Sequence, residues 1–228
     1  MSNPFDFFSG IYCVNLDSRP DRWHDSKREF NRLGFRLKII RFPGLVFSGG
    51  GPMSGRAGCY SSFRSIIQKA KDEGLENVLI LEDDVLFVGD TLNVLKSSLD
   101  ELSRKDWKMF YLGMAITDEF SSTPLSFAGD NLLRMQGGLC HHATAYHHSI
   151  YDKVLEGVPN TDRITEWLIH NESMERWLAE NIQLKHEVYC TNPIIATQRP
   201  SWSDIDGKHS DFGRKLIQKF NLFVNNIK

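Results

Sequence analysis

The chain lacks any apolar stretch long enough to cross a bilayer. Its longest apolar run, Met109 to Ile116, is eight residues including Gly113, whereas a spanning helix takes about 20. The opening residues Met1-Ser2-Asn3-Pro4-Phe5-Asp6 have no basic stretch followed by an apolar one, so no signal peptide is expected. Both absences predict a cytoplasmic location, with peripheral membrane contact left open. Cysteine is scarce: Cys13, Cys59, Cys140 and Cys190 are far apart and form no C-x-x-C pair. That spacing predicts four thiols in a reducing compartment, not a disulfide framework or a zinc ribbon. Charge of one sign is also missing, since 27 Lys and Arg stand against 29 Asp and Glu. That balance argues against bulk electrostatic binding to nucleic acid. There is no internal repeat and no linker, so residues 1–228 read as a single domain with two subregions.

The chain does carry an alternation of strand-like and helix-like pieces through its first two-thirds. Gly10 to Leu16 is a β-rich run, and Asp17-Ser18-Arg19-Pro20 reads as a helix start. A second strand is predicted over 37–42, then a loop over 45–55 around Gly49-Gly50-Gly51-Pro52. Apolar residues at helical spacing predict a helix over about 57–73. Val78-Leu79-Ile80-Leu81 is the unbroken apolar run of a strand covered on both faces. A helix over about 90–102 and a strand over 108–112 follow. Strand–helix–strand alternation implies parallel pairing and right-handed crossovers, hence an α/β fold with helices flanking a mostly parallel central sheet. In the last third, strands are predicted over 143–148, 186–190 and 193–196. One or two helices fall within 162–181, a polar loop over 198–209, and an amphipathic helix at the end.

The sharpest local feature is Glu82-Asp83-Asp84, directly after the buried run. In open α/β sheets, ligands bind outside the carboxyl ends of strands. Three adjacent acids repel one another unless a divalent cation sits among them, and hard oxygen ligands suit Mg²⁺ or Mn²⁺. Alternate residues of an extended segment point the same way, so Glu82 and Asp84 could face one ion. The plain alternative is a solvated acidic turn. A second feature is Asn15-Leu16-Asp17-Ser18-Arg19-Pro20-Asp21-Arg22, where a strand end meets a helix start. Helix N-termini accept phosphate, and Arg19 and Arg22 add forked donors. Its alternative is a surface helix with local charge pairs.

These segments resemble glycosyltransferase family 25, which includes lipooligosaccharide and collagen galactosyltransferases. Residues Tyr12 to Arg22 resemble its "V-N-L-D-x-R-x-D-R" opening. Ala57-Gly58-Cys59-Tyr60-Ser61-Ser62 resembles "G-C-x-x-S-H", and Val78 to Val85 resembles "hhhLEDDV". Gly138, Ala143 and Tyr146 are similar to "G-x-x-A-Y", and Met174 to Leu178 to "V-D-x-x-L". Pro193, Gln198 and Ser203-Asp204-Ile205 are similar to the closing "P…Q…S-D-I". Two positions depart from the pattern: Phe63 stands where His is usual, and Glu175 where Asp is usual.

The resemblance implies a GT-A type fold, with a nucleotide-binding part over 1–115 and an acceptor-binding part over 116–228. It implies an inverting, metal-dependent transfer of a hexose, galactose first, from a UDP-sugar to a glycan, a lipid-linked glycan such as lipooligosaccharide, or a glycoprotein. Mn²⁺ or Mg²⁺ would be held by Glu82 and Asp84, with His209 as a late third ligand. Asn15, Leu16, Arg19 and Arg22 would line the nucleotide pocket, with Asp83 at the ribose or donor sugar. Gln198, Ser203 and Asp204 would complete the pocket. Inversion needs a base for the acceptor hydroxyl; Glu175 is the candidate. Glu172, three residues earlier on an expected shared helical face, competes with it. Cys140-His141-His142 and His147-His148 are expected to make scattered polar contacts beside the acceptor cleft, not a zinc site. Two rivals stand beside the main reading: a nucleotidyltransferase on a related fold, and a non-catalytic nucleotide-sugar-binding protein.

Overall fold

The computed structural model describes residues 3–204 and 207–227. A 3-10 turn over Pro4–Phe7 leads into β1 (Gly10–Asn15), α1 (Pro20–Arg32) and β2 (Ile39–Pro43). Next come α2 (Gly51–Asp72), β3 (Asn77–Glu82), β4 (Val85–Phe87), α3 (Thr91–Leu102) and β5 (Met109–Tyr111). Short strands β6 (Ala115–Ile116), β7 (Leu125–Phe127), β8 (Leu132–Met135) and β9 (Gly138–Leu139) precede β10 (Ala143–His147). Helices α4 (Tyr151–Gly157), α5 (Ile164–Asn171) and α6 (Met174–Leu178) follow, the last extended by a π-helical turn over Ala179–Gln183. The chain closes with β11 (Val188–Thr191), β12 (Ala196–Gln198), β13 (Ser201–Ser203), β14 (Lys208–Ser210) and α7 (Gly213–Asn226).

One eight-stranded sheet, in the order β2-β1-β3-β10-β5-β11-β8-β7, organises the molecule. β1 pairs in parallel with both β2 and β3, and β11 in parallel with β5. Only β10 and β8 run against the common direction. The expected α/β architecture is therefore present, and its parallel core is built by the β1–α1–β2 and β2–α2–β3 crossovers. Period-two alternation divides the core. Tyr12, Val78, Ile80, Met109 and Tyr146 face α2 and the C-terminal helices. Ile11, Cys13, Leu79, Leu81 and Phe110 face the opposite cluster, which takes in residues of α1 and α3. That two-sided burial is why β3 reads as an unbroken apolar run.

Two close backbone approaches set the geometry around the strand ends. A Cβ on Gly58 would meet the Leu45 carbonyl oxygen at 2.2 Å, so only glycine lets α2 lie against the loop from β2. A Cβ on Gly113 would meet the Ala196 carbonyl oxygen at 1.8 Å. There Leu112 O accepts from Ile195 N–H at 2.9 Å and Ala196 N–H at 3.0 Å, joining the end of β5 to the segment before β12.

The structure differs from the sequence reading in several places, and the strand expected over 193–196 lies instead over Ala196–Gln198. α2 begins at Gly51, six residues before the periodic apolar positions, because Pro52 falls in its first turn and suits it. The expected polar loop over 198–209 contains the β13–β14 hairpin, with Trp202 opposite His209. The region 162–181, where one or two helices are expected, holds two, α5 and α6, divided at Glu172, which has φ 60° and ψ −52°. Ser173 N–H donates to Asn171 O at 2.6 Å around it, forming a positive-φ γ-turn. Among the described residues, no helix is long and apolar enough to cross a membrane.

Candidate active site

Asn15 ends β1 and Glu82 ends β3, and the two strands are adjacent and parallel. Their carboxyl ends therefore bring the two sequence motifs together. Asn15 donates from Nδ2 to Asp83 Oδ2 at 2.7 Å and to Arg19 O at 3.0 Å. Its Oδ1 accepts from Arg41 Nε at 2.8 Å. Arg22, one turn into α1, donates from Nη1 to Asp83 Oδ1 at 2.7 Å and from Nη2 to Ser201 Oγ at 2.8 Å. Ser26 Oγ donates to Asp83 O at 2.6 Å. Asp83 is thus buried with both carboxylate oxygens taken. Asp83, expected at the ribose or donor sugar, here anchors the acidic turn to α1. Arg22 thus holds protein partners through both terminal nitrogens, while its Nε has none. Leu16 is half-buried, and its carbonyl accepts from Arg19 N–H at 2.9 Å. Arg19 forks onto Asp21 and reaches Asp204 Oδ2 at 2.5 Å, so α1 is tied to the end of β13. Ser203 pairs in register with Lys208. Ile205, named with it in the closing motif, lies outside the described residues.

The other two acids are differently placed. Asp84 Oδ1 is buried with no hydrogen-bond partner, while Oδ2 lies 3.4 Å from Arg22 Nη2. Burial pushes the Asp84 carboxyl up to about 6; the Arg22 charge opposes that rise and the Asp83 charge adds to it. Glu82 is pushed well above the carboxylate range, by burial first and then by the charges of Asp84, Glu175 and Asp83. Gln198 Nε2 donates to Glu82 Oε2 at 3.4 Å. Two raised carboxyls side by side, one with an unpartnered oxygen, are a candidate site for positive charge.

Across from them lies a second wall, made by α2, α6 and the link from β9 to β10. Tyr60 donates its hydroxyl to Glu175 Oε2 at 2.6 Å, and the other Glu175 oxygen is 3.8 Å from His141 Nε2. Sequence reasoning misses Tyr60 as a functional residue; its only signal is its place inside the "G-C-x-x-S" segment. Glu172 does not share this wall. The γ-turn sends it outward, 71% exposed and paired with Arg176 at 3.1 Å, which corrects the expectation of a common helical face. His209 is exposed, its ring set edge-on to Trp202 at 6.3 Å. His141 and His142 are 1% and 0% exposed, so the expected scattered contacts at an open cleft are replaced by buried rings. His141 packs against Phe63 at 4.5 Å between ring centres. An imidazole thus lies against the position where the family pattern usually has one. His141, Cys59 and Glu82 bring three ligand-type atoms within 4.8 Å of one another.

Comparison with known proteins bears out the family resemblance. Residues 50–158, just under half of the chain, match the model of glycosyltransferase family 25 (LPS biosynthesis protein). That span holds the acidic turn, Cys59 and His141. A curated relative from Aedes aegypti, a "Glycosyltransferase 25 family member", is 25% identical over 95% of this chain. The chain spans 40% of that relative's length. Among solved structures, a mannose-1-phosphate geranyltransferase from Thermus thermophilus is similar at a TM-score of 0.45 and 10% identity, covering 92% of this chain and 78% of that one. A UDP-glucose pyrophosphorylase complexed with UDP-glucose is similar at 0.40 and 12%, covering 95% and 81%.

Proposed function

We propose that the chain is a glycosyltransferase that binds a UDP-linked hexose, galactose first, at the carboxyl ends of β1 and β3. The acceptor is a hydroxyl of a glycan, free, lipid-linked or carried on a protein. The observation that carries this reading is the buried, unpartnered Asp84 Oδ1 beside a fully paired Asp83. A turn that merely needed solvation would not bury an unpaired carboxylate oxygen. The family match supports the same class of reaction.

The donor set fits a hard divalent cation, because Asp84 and Glu82 offer carboxylate oxygens that burial raises first, with the charge of Asp83 adding to both. Mn²⁺ or Mg²⁺ would be held by these two, with His209 as a third candidate. When bound, such an ion offsets the charge that grows on the leaving diphosphate. The chain's own residues do the rest. Asn15 and Arg22 fix the acidic turn through Asp83. Glu175, with one oxygen held by Tyr60, takes the proton of the acceptor hydroxyl. The acceptor oxygen forms its bond to the anomeric carbon as the bond from that carbon to the diphosphate oxygen breaks. Attack from the face opposite the leaving group inverts the centre.

Calorimetric titration with UDP, with and without Mn²⁺, tests the donor reading. Binding is expected to need the metal and to vanish in Asp84→Asn. Binding indifferent to both overturns it. Mass spectrometry across UDP-sugars, scoring slow donor hydrolysis, then separates an enzyme from a binding protein. His209→Ala in the same titration decides the third ligand.

A further inference from the structure

One cluster in the second wall includes two residues, Cys59 and His141, that the donor reading does not use. Cys59 lies on α2 directly after Gly58, whose missing Cβ allows the helix to approach the Leu45 carbonyl. Glu82 ends β3, and His141 lies on the link between β9 and β10. Three separate elements therefore deliver a thiol, a carboxylate and an imidazole to one place, with the ligand atoms within 4.8 Å of one another. His141 is 1% exposed, and neither of its ring nitrogens has a hydrogen-bond partner. The nearest acid oxygen, on Glu175, stands 3.8 Å from Nε2, beyond hydrogen-bond range. A buried imidazole with both nitrogens unsatisfied calls for a ligand.

We infer that Cys59, His141 and Glu82 form a second cation site, of the zinc class, overlapping at Glu82 with the carboxylate site at the acidic turn. Sulfur and imidazole nitrogen select borderline metals over Mg²⁺ or Mn²⁺. In a tetrahedral zinc centre, sulfur and nitrogen ligands sit roughly 3.5 Å apart, so side-chain shifts of about an ångström close the trio around an ion. Three protein ligands leave a fourth position open, and Glu175 lies nearby, 3.8 Å from His141 Nε2. Glu82 is the residue the two sites share, so a zinc-class ion here draws that carboxylate away from the acidic turn.

Cobalt titration of the metal-stripped, reduced protein tests the site, since a cobalt–thiolate bond gives a near-ultraviolet charge-transfer band that oxygen ligands do not. One equivalent of Co²⁺ is expected to produce that band and Zn²⁺ to bleach it. The band should disappear in Cys59→Ser and in His141→Gln and persist in Asp84→Asn. The unaltered protein supplies a readout free of folding defects: Zn²⁺ should slow alkylation of Cys59, followed by peptide mass spectrometry, by roughly tenfold or more. Co²⁺ binding without the band, a band that survives Cys59→Ser, or alkylation that Zn²⁺ leaves unchanged overturns the site. Failure of the donor reading looks different, because UDP binding indifferent to Mn²⁺ leaves the cobalt band intact.

Discussion

The two walls of the recess differ in how many of their polar groups are paired. On the α1 side, Asn15, Arg22, Ser26 and Asp83 are joined by three bonds of 2.6–2.7 Å, with Arg22 Nε left unpartnered, and Arg19 ties that side to Asp204. On the α2 and β10 side, Ser61 Oγ, Thr144 Oγ1, the Tyr146 hydroxyl and both His141 nitrogens are buried without partners. Asp84 stands between, with one oxygen toward Arg22 and one unpaired. Unmade hydrogen bonds in a folded interior are costly, so the contrast separates a rigid support from a surface awaiting ligand. The support holds the acidic turn in place; the open wall is where bound groups gain most.

The strongest way to break that division is Glu175→Gln. If Glu175 is the base, transfer should fall by about 10²–10⁴-fold. UDP affinity should stay unchanged, because Glu175 belongs to the open wall and not to the donor's support. Tyr60 can still donate to the new amide oxygen, so the geometry survives. A steady-state rate within a few-fold of the unaltered protein would remove Glu175 from the mechanism and leave the second wall without a catalytic group.

The next effect falls on the support. Arg22→Ala leaves Asp83 charged and 7% exposed with only Asn15 beside it. Removing one partner of a buried pair costs about 3 kcal/mol, or a Tm lower by roughly 6–12 °C in a chain of this size. Calorimetric melting measures it. A Tm unchanged by Arg22→Ala would mean that the α1 wall is ordinary surface charge.

Much of this support is legible in the sequence, and the open wall is not. Asn15, Arg22 and the acidic turn sit at strand ends that the apolar runs at 10–16 and 78–81 already mark, and parallel pairing puts such ends side by side. What the sequence does not carry is direction: Asp83 turns inward because Asn15 and Arg22 claim both its oxygens. The open wall assembles Cys59, His141 and Glu175 from positions separated in turn by 82 and 34 residues, a meeting that no local spacing encodes. Strands such as β6 and β9 are two residues each, too short to carry a period. The apolar period marks α2 only from Ala57 onward, because glycine at 49–51 reads as loop whatever follows.

Asp84→Asn sharpens the comparison at the boundary between the walls. The carboxyl is raised from 3.8 to about 6, chiefly by burial, so the folded chain favours its protonated form. Its contribution to stability is complete below the ordinary value and is lost as pH rises through about 6. At neutral pH the charged carboxylate destabilises the metal-free protein, and an amide that cannot ionise removes this penalty. Asp84→Asn should therefore raise stability by about 2 kcal/mol at pH 7 and leave it nearly unchanged near pH 4. Urea midpoints at the two pH values check the sign. Equal midpoints at pH 7 would show that Arg22 already compensates Asp84, making it part of the support.

The smallest effect belongs to Glu172, the acid that the sequence placed beside Glu175. It sits at φ 60° and ψ −52°, a backbone state costing roughly 1–3 kcal/mol for a residue with a Cβ. Its charge pair with Arg176 is largely exposed, worth at most about 1 kcal/mol, and Arg176 keeps Glu119 at 2.6 Å when Glu172 is removed. Strain relief exceeds the lost pair, so Glu172→Gly should stabilise the chain by about 1 kcal/mol, raising Tm by roughly 2–4 °C. Transfer activity and UDP affinity should not move, since the side chain leaves the recess entirely. The comparison with Glu175→Gln is then direct: two acids three positions apart, separated by one γ-turn, one altering rate without stability and the other stability without rate. A fall in transfer with Glu172→Gly would mean that the turn itself, by aiming α6, sets where Glu175 meets the acceptor.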